Sequence, residues 1–135
     1  MSPPSRDPSR DTIWVVDASN VIGSRPDGWW RDRAAAIERL VAQLDGWAAE
    51  TGERVTVVLE QPPRRPLDTE RLEVAWAPRP GPNSADREIV RRLDDWLTDD
   101  EVTIVTSDRD LAERARGLGA SIEPAAAFRA RLEAL

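Results

Sequence analysis

Four aspartates stand where apolar runs stop or where helices begin. Asp17 follows Ile13, Trp14, Val15 and Val16, Asp86 falls in the first turn of a helical segment opened by Ser84, and Asp108 and Asp110 follow the run Val102 to Thr106. A carboxylate at the carboxyl end of a buried parallel strand faces the crevice in which open α/β sheets bind ligands. If the first and fourth strands are neighbours at the switch point, these acids meet in one crevice. Two like charges ~4 Å apart repel by roughly 4 kcal/mol at an effective dielectric of about 20, and a hard divalent cation removes that penalty. Oxygen donors select magnesium or manganese over zinc, and magnesium leaves part of its shell to water and substrate phosphate. Such a site can activate water for phosphodiester hydrolysis without any histidine.

Composition narrows the chemistry further. The 135 residues include no cysteine and no histidine, and all 19 basic residues are arginine. Disulfides, thiolate metal sites and the commonest zinc ligand are therefore excluded, as are a Walker lysine and a Schiff base. A net charge of -6 argues against a uniformly basic nucleic-acid binder. Local cationic patches remain possible, because arginines gather at Arg31 and Arg33, at Arg64 and Arg65, and at Arg87, Arg91 and Arg92.

The elements that must position the acids follow from the hydrophobic pattern. Residues 1–11 hold prolines, serines and charges with no apolar face, and are expected to form a disordered leader before one domain over residues 12–135. No stretch could span a bilayer, so a cytoplasmic protein is expected. After the first strand comes a loop from Val21 to Trp30, then a helix over about Asp32 to Glu50 with Ile37, Leu40, Val41, Leu44 and Trp47 on one face. Val55 to Leu59 form a second buried strand ending at Glu60, and Leu72, Val74 and Trp76 alternate as a short peripheral strand. Ser84 is expected to cap a helix to about Leu97. The fourth strand, Val102 to Thr106, leads into a helix ended by Gly117 and Gly119. A short strand at Ala120 to Ile122 and a terminal helix from Ala125 follow. Strands alternating with helices predict a three-layer α/β/α sandwich with a mostly parallel sheet and right-handed crossovers.

Around the acids, Asn20, Ser107, Arg25, Arg31 and Arg87 are the candidates for contacting substrate, with arginines directed at phosphates. Trp29 and Trp30 either offer a stacking surface to unpaired bases or close the core beneath their loop. Each acid also has a purely structural alternative: Asp17 as an Asx turn, Asp86 and Asp110 as first-turn acids, Asp108 as a helix cap.

Three segments together resemble a known family. The runs Val15 to Trp30 (VVDASNVIGSRPDGWW), Ser84 to Val90 (SADREIV) and Val105 to Leu111 (VTSDRDL) are similar to the NYN domain of the PIN-like ribonuclease superfamily, in its bacterial YacP-like form. The resemblance implies a PIN-like fold and a magnesium- or manganese-dependent ribonuclease acting on RNA. Asp17, Asp86 and Asp108 would be its principal metal-site acids, and Asn20 and Asp110 would assist. The family often carries Asp-Gly-Asn-Asn where this chain has Asp17, Ala18, Ser19 and Asn20, and a second acid where this chain has Arg87. The competing reading is therefore an RNA-binding module of the same fold with weakened or absent turnover.

Overall fold

The computed structural model describes residues 12–134, so the expected leader lies outside the described residues. Five strands form one sheet in the order β3-β2-β1-β4-β5. These are β1 (Thr12–Asp17), β2 (Arg54–Leu59), β3 (Glu73–Trp76), β4 (Glu101–Val105) and β5 (Ser121–Glu123). Every pairing is parallel, so the sheet is wholly rather than mostly parallel. β1 is central: Asp17 lies opposite Val58 of β2, and Val16 lies opposite Val105 of β4. The chain leaves β1 in one direction to build β2 and β3, and returns to the other side for β4 and β5. The switch point therefore lies at the end of β1, where open α/β sheets form their ligand crevice.

Strand alternation divides the interior into two cores. Ile13 and Val15 face one side with Ile89 and Leu93 of α3 (Ser84–Asp99) and Leu111 and Ala115 of α4 (Arg109–Leu118). Trp14 and Val16 face the other. There they meet α1 (Ala18–Ile22), α2 (Arg33–Thr51) and α5 (Ala125–Glu133), through Val21, Leu44, Trp47 and Phe128. Phe128 is fully buried, with its ring 5.4 Å from Trp14 and 5.2 Å from Trp47. Because side chains alternate along a strand, Asp17 shares the face of Ile13 and Val15, the α3 side.

Three local features depart from the sequence pattern. The segment after Asp17 is a short helix, α1, too brief to generate a periodic signal, and Trp29–Arg31 form a 3₁₀ turn within the expected loop. Ser84 does not cap α3. Asn83, in the left-handed region at φ 59, occupies the cap position, while the buried Ser84 hydroxyl donates to the Glu60 carbonyl at 2.8 Å. That bond fastens the start of α3 to the carboxyl end of β2. Gly52 and Gly119 adopt positive φ at the ends of α2 and α4, as a helix-terminating glycine should. Among the described residues no helix is long and apolar enough to cross a membrane.

Candidate active site

Asp17 is 2% exposed at the end of the central strand. Its Oδ2 accepts hydrogen bonds from Asn20 Nδ2 and from Thr106 Oγ1, each at 3.2 Å. Asn20, in α1, also accepts from the Ser107 backbone N–H through Oδ1 at 2.9 Å, so one side chain bridges the ends of β1 and β4. Thr106 is buried at 1% exposure and accepts from the Asp108 N–H at 3.1 Å. The Ser107 hydroxyl accepts from the Ala125 N–H at the start of α5. Asn20 and Ser107 thus hold the framework together. Thr106, read from the sequence only as the last strand residue, is one of the two side chains that orient Asp17. The signal for it was a hydroxyl at the point where an apolar run turns polar.

Asp86 reaches Asp17 from the first turn of α3, and the two carboxyls lie within hydrogen-bonding reach of one another. Burial, and then the negative charge of Asp86, push Asp17 up to about 7, while the hydrogen bonds from Thr106 and Asn20 oppose the rise. Asp86 is raised as well, by burial first and then by the charges of Asp108 and Glu60. Its hydrogen bond with Asp17 and the cation of Arg114 act in the opposite direction. A pair so placed retains a proton at pH values where an exposed aspartate has lost it. Asp108 is the N-cap of α4, with Oδ1 accepting from the Leu111 N–H at 3.0 Å. The cap expected as its structural alternative is therefore present, and the charge of Asp108 also acts on Asp86. Asp110 is exposed in the first turn of α4 and is not among the groups that shift Asp17 or Asp86.

A profile of the YacP-like NYN domain matches residues 14–135. The chain belongs to this family. NYN domains of this kind are ribonuclease-type domains. No curated protein matches the chain by sequence. Among solved structures, Rae1 (YacP) from Bacillus subtilis superposes with a TM-score of 0.73 at 24% identity, over 90% of this chain and 74% of that one. A tryptophan-to-leucine variant of the same protein gives 0.71 at 23% identity, over 91% and 76%. At these identities the likeness establishes the shared fold.

Among the described residues of the NYN domain, no three acidic side chains stand close enough to cage an ion as they are placed. The donor set nevertheless fits magnesium or manganese. These cations take all-oxygen shells, and magnesium is held by as few as one or two carboxylates beside water and phosphate. The Asp17–Asp86 pair is crowded in a manner that a divalent charge would relieve. Of the other candidate residues, Arg25 pairs with Glu133 of α5, and Arg87 donates to the Pro82 carbonyl at 3.1 Å. Arg31 is exposed beside a groove of about 620 Å³ that runs from α1 past the start of α2 to the loop 60–67. Glu60 lines the same groove, and its charge contributes to raising Asp86.

Proposed function

We propose that this NYN domain is a magnesium- or manganese-dependent ribonuclease that hydrolyses RNA phosphodiester bonds. Asp17 and Asp86 would hold the cation, with Asp108, whose charge acts on Asp86, as the third acid of the set. The observation that carries this reading is the close pair of carboxyls at the switch point, one of them almost wholly buried and pushed up to about 7. Burying one carboxyl against another is costly unless a proton or a cation is held between them, which favours a role beyond packing. Once bound, the cation supplies Lewis acidity to the phosphate and lowers the pKa of water.

The chain's own residues do the positioning. Asn20 and Thr106 fix the Asp17 carboxyl by donating to Oδ2, within hydrogen-bonding reach of Asp86. The Ser107 bonds to Asn20 and Ala125 hold the β4 exit against α1 and α5, so the Asp108 end of the site stays in register with the Asp17 end. Arg114 moderates the negative field, and Arg31, which lines the neighbouring groove, and Arg87 would contact substrate phosphates. Asp110 and Arg25 are placed at the periphery of this proposal.

The test is cleavage of labelled RNA by the purified chain in magnesium or manganese, in chelator, and with Asp17→Asn and Asp86→Asn. Metal-dependent cleavage lost in both variants, with folding intact by circular dichroism, is the expected result. Undiminished cleavage in chelator refutes the proposal. Salt-sensitive RNA binding with no products at any metal concentration would favour the non-catalytic module instead.

A further inference from the structure

The groove on the α1–α2 side, next to the end of β1, carries a charge pattern that the chemistry of the acids does not explain. Its walls hold four arginines and three carboxylates, in a chain whose net charge is -6. Two of those carboxylates are already engaged: Glu38 with Arg65 at 2.7 Å, and Asp32 with the Ala35 N–H at 3.0 Å. Arg33 lies over the Trp29 ring at 5.5 Å. Arg31 and Arg64 are exposed and join no ion pair among the described residues. The groove therefore presents two uncommitted guanidinium groups, one from each wall.

The far wall is built to stay in place. At one end the Ser84 hydroxyl holds the Glu60 carbonyl, and at the other the Asp45 carboxylate accepts from the backbone N–H groups of Glu70, Arg71 and Leu72 at 2.8–3.1 Å. Pro62, Pro63 and Pro66 restrict the backbone between them. A wall fixed before binding lowers the ordering cost of a ligand. The near wall offers Trp29, whose indole packs against the core and borders the groove. At about 620 Å³ the groove falls within the ~300–1,000 Å³ range of ligand-holding clefts. It begins at Ala18 and Ser19, directly after Asp17, and includes Glu60, whose charge is felt by Asp86.

We infer that this groove seats the single strand of RNA running away from the carboxylate cluster, with Arg31 and Arg64 gripping successive phosphates from opposite walls and Trp29 as the apolar floor. The inference rests on the RNA reading of the acidic site and extends it to a strand path on the β2 side of β1. Cationic grooves with aromatic faces suit single strands because they follow the backbone and tolerate any base. An arginine is suited to phosphate by its planar, permanently charged fork.

The experiment is fluorescence anisotropy of a short labelled oligouridine with the full chain, in magnesium and again in chelator, across a salt series, together with cleavage of the same RNA. The variants are Arg31→Ala with Arg64→Ala, and, as a control, Arg116→Ala in the last turn of α4, at the opposite end of the sheet. The double variant is expected to weaken binding about 10-fold and to flatten the salt dependence by about 1.4, roughly 0.7 for each lost single-strand phosphate contact. The control should leave both unchanged. A double variant that binds with wild-type affinity and slope overturns the groove assignment, and cleavage by the same protein then still supports the acidic site. Binding that depends on the two arginines in a chain that never cleaves supports the groove and removes the nuclease reading. Absence of RNA binding by the wild-type chain at low salt removes the groove.

Discussion

Replacing Asp17 by asparagine is expected to make the metal-free protein more stable, by an amount that grows with pH. In the folded state this carboxyl titrates at about 7 instead of its ordinary 3.8. The native state therefore binds the proton more tightly than the unfolded chain does. The resulting penalty is absent below about 4, grows as pH rises from there through 7, and is complete above 7. A separation of that size sets a ceiling of about 4 kcal/mol for the pair, and because Asp17 titrates together with Asp86 the expected gain lies below it, on the order of 2 kcal/mol. Asparagine keeps an oxygen to accept from Asn20 and Thr106, and its amide can donate to Asp86, so no buried partner is orphaned. At pH 8 in chelator the melting temperature should rise by about 8 °C, and the advantage should shrink steadily as the pH is lowered toward 4. Thermal melts followed by tryptophan fluorescence measure this, with Trp14 and Trp47 reporting on the core. Added magnesium should stabilise the wild type and not the variant, narrowing the gap. An asparagine variant less stable than wild type at pH 8, or an advantage that does not change with pH, would refute the account of the paired carboxyls.

Thr106→Val keeps the shape and removes one of the two side-chain donors to Asp17, so its carboxyl should titrate higher still; the acid limb of the cleavage profile is expected to move to higher pH, with Thr106→Ser restoring it, and pH–rate curves decide. Phe128→Ala empties the contact between Trp14 and Trp47 and should cost about 3–5 kcal/mol in urea unfolding, with loss of the near-ultraviolet dichroism of the tryptophans.

What could be read from the sequence was whatever repeats or stops abruptly. The run Ile13 to Val16 announces a strand buried on both faces, and its abrupt end places Asp17 at the mouth of the sheet, where the structure has it. The helical spacing of Leu40, Val41, Leu44 and Trp47 likewise identifies the buried face of α2. Five residues of α1 make too little of a turn to leave a period, so Ala18, Ser19 and Asn20 read as a bend. The cap of α3 passed from Ser84 to Asn83 because the serine hydroxyl found a carbonyl 24 residues earlier, a competition that no local pattern records. Arginine roles were illegible for the same reason. Arg25 binds Glu133, 108 residues away, whereas Arg31 joins no ion pair among the described residues, and both look alike in a list of charges. Asp108 was ambiguous between cap and site because it serves as a cap while its charge also acts on Asp86.

The placement of β1 between β2 and β4 has a bearing on how the molecule comes into being. Its second neighbour is contributed by Glu101–Val105, and Thr106 arrives only with it. During synthesis, Asp17 is made long before Thr106, whose hydroxyl steadies it, and before the strand β4 that pairs with its own. A chain interrupted between Asp86 and β4 has its two acids but lacks half of their cradle, so whatever chemistry they perform must wait until the final third of the polypeptide has emerged.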